Sequence, residues 1–351
     1  MDIVTKKVHE ALALALILLI ALPLLSALHG IAPEAQAQPL VTVTVVPPSW
    51  ARVIAMIGSP FVRVVNPIPE GVDPHHYEPK PEDIEKAVKA DIIVVDNLEH
   101  LPINKKLVEA ARERKVPLIL VEEDAMKRGW RPLKKPSGAD NKHLHLDPNS
   151  TMIMVEMVIE EAVKIAKAKG APAAQVEAMS SRLSANAAMF KSTYLSSISY
   201  AQSVLKGMSG VALYSAKTQY VAHSMGLKPV FIMLDEPEEE PKPGDIERLK
   251  ASGAKCVLLL AGHEHFDERV VEDLSKAGVK VVYVNIREVM RRAGPHFVPA
   301  VTAEALVQAC GKPMVEHDHH DHLHIDPVTT GLAAYAALVT VVAALLVLRR
   351  K

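Results

Sequence analysis

The sequence predicts an α/β protein with two small α/β lobes joined by a long connecting helix, a cleft between them, and a transmembrane helix at the C-terminus. Three observations predict it. β-branched runs alternate with helical patterns from residue 41 to 122, no strand signal appears from Ser150 to about Met208, and the alternation resumes at Val211. Composition agrees. Apolar residues make up 49% of the 351 and aromatic residues only 4%, which suits the aliphatic cores of parallel sheets better than an aromatic-rich β fold. The net charge of −1 gives no sign of a nucleic-acid surface.

In chain order, Val41–Val46 alternates β-branched residues and stops at Pro47-Pro48, a strand and its terminator. A short helix follows from about Trp50 to Ile57, then a strand at Phe61–Val65. Pro74, Pro79 and Pro81 hold the next segment out of helix until Pro81, which suits a first helical residue with Glu82 and Asp83 in the first turn. The helix 81–89 places Ile84 and Val88 on one face. Ile92–Val95 is apolar throughout and is expected as a central parallel strand. A helix at 104–114, a strand at 117–122 and a polar loop over 123–142 complete the first series. After Ser150 a helix carries Met154, Met157, Val158, Ala162 and Ile165. Gly170-Ala171-Pro172 breaks it. A helix of about 35 residues starting near Ala173 is longer than a domain helix ordinarily needs and fits a connector; two helices folded on one lobe are the alternative. The second series reads as strand 211–214, helix 217–225, strand 229–234, helix 245–251, strand 255–261, helix 267–277, strand 279–285 and a last helix near 302–310. The acidic run 235–245 between them reads as a solvated loop.

The two ends set the expected compartment. Residues 1–37 read as a secretory signal: Lys6-Lys7, an apolar run from Ala11 to Leu28, and Ala35-Gln36-Ala37 as a cleavage site. Val328–Leu348 is apolar and uncharged, and 21 residues of helix reach about 32 Å, enough for a bilayer core of about 30 Å. Arg349, Arg350 and Lys351 then place that end in the cytoplasm and the body outside the cell. The expected organisation is a signal at 1–37, a first lobe at 38–170, the connecting helix at 171–208, a second lobe at 209–312, a His/Asp-rich linker at 313–327 and an anchor at 328–348. Cys256 and Cys310 allow one disulfide, but Cys256 lies in an apolar run and reads as a buried structural thiol.

Sixteen histidines are many for this length, and most are clustered. Three loops carry paired or alternating histidines: 75/76, 143/145 and 263/265. Each follows a predicted strand, on the edge where open α/β sheets bind ligands. Neutral imidazole is a preferred zinc ligand, so a metal cleft between the lobes is expected. Either histidine of each pair could face it.

Asp73-Pro74-His75-His76-Tyr77-Glu78-Pro79-Lys80-Pro81-Glu82-Asp83 and Lys142-His143-Leu144-His145-Leu146-Asp147-Pro148 carry a resemblance. With the order lobe, long helix, lobe over roughly residues 40–311, they resemble the zinc- and manganese-binding solute receptors of ABC importers, the TroA-like family. The resemblance implies His75 and His143 as ligands, with His145 standing where the family usually has Trp. It implies a third ligand in the region Tyr214–Tyr220, where Ser215 stands in place of His or Glu, and a fourth at His263, where Asp or Glu is usual. Three imidazoles favour Zn2+ over Mn2+, though Mn2+ is also possible. The implied partners are a membrane permease and its cytoplasmic ATPase, the chain itself being a monomer at the cell surface.

His317, His319, His320, His322 and His324, interspersed with acids, cannot bury a core and read as an auxiliary metal trap. No Walker A, HExxH or GxSxG pattern is present, so no enzyme is expected. The alternatives are a surface zinc hydrolase using Glu264 as base, or a metal-buffering or adhesive surface protein.

Overall fold

β-strands β1 (Val41–Val46), β2 (Val62–Val65), β3 (Ile92–Val95) and β4 (Leu118–Leu120) form one parallel sheet in the order β2-β1-β3-β4. β5 (Val211–Ser215), β6 (Ile232–Leu234), β7 (Cys256–Ala261) and β8 (Lys280–Asn285) form another in the order β6-β5-β7-β8. These come from a computed structural model that describes residues 38–311, apart from Pro243 and residues 263–267. The signal at 1–37, His263, Glu264, the histidine tail and the apolar stretch 328–348 lie outside the described residues. Among the described residues no helix is long and apolar enough to cross a membrane.

Both sheets are parallel throughout, and β3, expected to be central, is buried along its whole length. Helices fill the crossovers. In the first lobe they are α1 (Pro48–Gly58), α2 (Pro81–Ala87), α3 (Pro102–Arg114), α4 (Val121–Lys127) and α5 (Pro148–Ala168). The second lobe has α7 (Gln219–Ser224), α8 (Asp245–Ala251), α9 (Glu268–Lys276), α10 (Ile286–Arg292) and α11 (Val298–Cys310). Between them runs α6 (Ala173–Val204), a single helix of 32 residues. Gly170, at φ +75°, takes the left-handed step that ends α5, and Pro172 is the N-cap from which α6 starts.

Two departures from the sequence expectation have simple causes. The strand at 117–122 ends at Leu120, because Glu122, Glu123 and Asp124 favour a helix N-terminus. The polar segment after it is therefore partly α4. Helix α10 falls where no element was expected; Asn285 caps it by accepting from Glu288 N at 3.0 Å.

One apolar cluster passes through both lobes, joining Val43, Ile54 and Val94 on one side to Leu213, Leu258 and Leu306 on the other by way of α5 and α6. Met179 and Leu183 of α6 are at most 1% exposed, and emptying such a site costs about 2–5 kcal/mol. The outer face of each sheet has its own smaller core, around Ile93 and Leu107 in the first lobe and Val257 and Leu274 in the second. Cys256 of β7 and Cys310 of α11 are disulfide-bonded, with Cα atoms 6.2 Å apart. Cys256 is thus not the free buried thiol its apolar neighbours imply: α11 packs against β7 and brings its last residue to the strand.

Candidate metal centre

The carboxyl edges of the first sheet carry the site. After β2, Asp73 caps a single turn of 3-10 helix (Pro74–His76), accepting from His75 N at 3.0 Å. The loop is tied to α2 through Asp83, whose Oδ2 accepts from Tyr77 OH (2.7 Å) and Lys80 N (3.0 Å). This turn sends the two histidines apart. His76 pairs with Asp73 and its side chain is 74% exposed, whereas His75 lines an interlobe cavity of about 380 Å³.

After β3, Asp96 and His100 form a unit. Asp96 is fully buried, and its Oδ1 accepts from Asn97 N (2.9 Å) and Asn104 Nδ2 (2.7 Å). Its Oδ2 holds His100 Nδ1. A buried carboxylate on Nδ1 keeps the proton there and leaves the lone pair on Nε2. That Nε2 is buried, with no hydrogen-bond partner among the described residues.

His143 and His145 flank a second 3-10 turn (Leu144–Leu146), whose leucines anchor it in the core at 0% and 2% exposure. Asp147 caps α5, accepting from Asn149 N and Ser150 N, and takes Trp130 Nε1–H at 2.6 Å. Asn141 Oδ1 accepts from His143 N at 3.0 Å and sits 3.3 Å from its Nδ1, leaving Nε2 as the free nitrogen. His143 Nε2 and His145 Nδ1 are both buried and unpartnered among the described residues. Leaving such a nitrogen unsatisfied costs about 1–3 kcal/mol.

His75, His100 and His143 each bring a ligand atom within 4.8 Å of the others. Their ring centroids are 5.0 Å (75–100), 5.0 Å (100–143) and 5.9 Å (75–143) apart. Bonds of about 2.0 Å from imidazole to a tetrahedral zinc put centroids roughly 5 Å apart, so the cluster is close to ligating geometry as it stands. Burial, with the neighbouring charges of His100 and Lys217, pushes His75 down to about 3. Burial likewise holds His143 and His145 well below the usual histidine range. At neutral pH these three rings are uncharged and need release no proton to bind a cation.

The second lobe contributes different chemistry. Ser215 ends β5, buried at 3% exposure and in register with Leu234. Lys217, two residues on, lines the cavity, and its amine is lowered to about 8, chiefly by burial. The acidic run 235–245 is not simply solvated. Glu236 takes Lys135 Nζ at 2.6 Å and stands 3.7 Å from His143 Nε2, and burial raises Glu238 beside it. Of the ligands expected from sequence, His75 and His143 lie in one cluster, Ser215 is at the neighbouring strand end, and His263 is outside the described residues, though Gly262 lines the cavity. His100 and Glu236 were not anticipated. His100 had one signal: it follows β3, beside β1, where the strand order reverses and α/β sheets bind ligands.

Two lobes are thus joined by one long helix around a histidine-lined cleft. Residues 41–309 match the family described as "ZnuA: Zinc-uptake complex component A periplasmic", and the chain belongs to that family. The metal ABC transporter substrate-binding lipoprotein SloC of Streptococcus mutans serotype c is 29% identical over 151 residues, 42% of this chain. The chain spans about half (49%) of the length of this curated relative. Among solved structures, FpvC of Pseudomonas aeruginosa in complex with Mn2+ matches with a TM-score of 0.60 at 18% identity, covering 76% of this chain and 99% of FpvC. A crystal structure of ZnuA matches at 0.58 and 19% identity, covering 75% and 98%. These likenesses show the fold.

Proposed function

We propose that this protein is the extracytoplasmic receptor of a metal ABC importer, capturing a divalent cation, zinc in preference to manganese, and handing it to a membrane permease driven by a cytoplasmic ATPase. The observation that carries this reading is the His75–His100–His143 cluster: three imidazoles at one cleft, a donor set that suits zinc over the harder manganese. Glu236, from the second lobe, is the carboxylate placed to complete the shell. SloC and FpvC support the reading as metal-binding relatives. Ser215 and His263 remain the second lobe's other candidates, from sequence.

The lobe boundaries at 38–170 and 209–312, with 171–208 between, belong to the same proposal. So does the anchor: Val328–Leu348 followed by three basic residues supports attachment to the cell membrane with the body outside, after removal of residues 1–37. The linker 313–327, with His317, His319, His320, His322 and His324, would gather metal near the cleft by tethering.

The test is calorimetric titration of the chain with these five tail histidines changed to Asn. One tight zinc per chain, at least a hundredfold tighter than manganese and lost in H143A, is expected. Absence of tight binding would overturn the receptor reading.

A further inference from the structure

The outer cluster leaves one buried imidazole without a role. His145 stands where the resembling family usually has Trp, and its Nδ1 is buried with no hydrogen-bond partner among the described residues. Its ring lies 4.9 Å from His100 and 6.0 Å from His143, nearly the spacings that His75 keeps to the same two rings, 5.0 Å and 5.9 Å. Asp96, His100 and His145 each bring a ligand atom within 4.8 Å of the others, just as the outer set does. His100 is common to both sets. His75 and His100 line the interlobe cavity, whereas His145 does not.

We infer that the cleft offers a cation two alternative positions that share His100: an outer one with His75 and His143, reached from the cavity, and an inner one built on His145, with Asp96 bracing His100 from its Nδ1 side in both. A cation passes from outer to inner by exchanging His75 for His145 around His100, without leaving nitrogen coordination. Because His100 is shared, the chain binds one cation at a time. Soft, imidazole-preferring ions such as zinc suit both positions. The inference rests on the receptor reading above and concerns how the same cleft is filled.

The experiment compares zinc affinity, by competition with a chromophoric chelator, in the full chain carrying the five tail His→Asn changes. H75A, H145F, H145Q and the H75A/H145Q double variant are measured beside it, with circular-dichroism melting as a check on folding. If both positions exist, H75A still binds one zinc, ten- to a hundredfold more weakly. Each His145 variant alone weakens zinc by less than twofold, because the outer position then carries nearly all the affinity, and the double variant loses at least a thousandfold. Cobalt(II) absorption should also differ between H75A and H145Q, reporting two coordination shells. H75A/H145Q binding zinc as tightly as H75A would overturn the inner position and leave the receptor reading standing. Complete loss of zinc in H75A would overturn it as well. Failure of the parent chain to bind zinc would overturn the receptor reading first.

Discussion

The two lobes share a topology and differ in what they present at the cleft. Each has four parallel strands in the same order, one face on the common core and the other on a private one. At the cleft, the first lobe brings His75, His100, His143 and His145; the described part of the second brings Glu236 and Lys217. The contrast teaches that the two halves bring different chemistry to one place: one fixes a nitrogen cluster, the other brings charge to its rim. The same edge of the same fold serves both, because its loops are free to differ while the strands are not.

Acid should separate the halves most strongly. His75, held at about 3, and His143 and His145, held well below their usual range, are neutral in the fold, but protonate near 6.5 in the unfolded chain. Their contribution to stability is complete above pH 6.5 and is lost as pH falls toward 3. Buried Asp147 and Glu122, raised by desolvation, act in the opposite sense nearer their own range. Chemical denaturation of the metal-free chain at pH 7.5, 6 and 5 should show stability falling; a flat profile would break the contrast. The next effect belongs to the second lobe. Cys256 and Cys310 close a loop with a sequence separation of 54, for which chain entropy gives about 4 kcal/mol, so C256S/C310S should lose stability of that order, read by urea unfolding. D96N then tests the first lobe's inner support. Removing the carboxylate that fixes His100 should weaken zinc about ten- to a hundredfold, the usual cost of losing such a partner. E236Q should be mildest, at tenfold or less; a larger loss than in D96N would reverse the division between the halves.

Much of this was legible in the sequence because it is periodic. Ile92–Val95 declared itself a buried central strand, Asp245–Ala251 was located to the residue, and the strandless stretch after Ser150 foretold α6. His75 and His143 were candidates through motifs whose local structure is now apparent: Asp73 caps the turn that carries His75, and Asp147-Pro148 starts the helix behind His143. The rest depended on long-range packing. His100 follows Glu99 in an ordinary polar loop, and only the fold shows Asp96 bracing it. Glu236 sits in a run of acids that looks solvated until the second lobe sets it against Lys135 and His143. The disulfide was hidden because the position of α11 against β7 is not written near either cysteine.

The common core has a mechanical consequence. A jaw that swings open needs a dry seam along which it can part, and here the seam is filled by Met179 and Leu183 on a helix shared by both halves. Parting would wet that interior at a cost set by its area. On the receptor reading proposed above, unloading would therefore be less like a hinge than like a relay at a turnstile, in which an acceptor takes the ion at the mouth, one bond at a time.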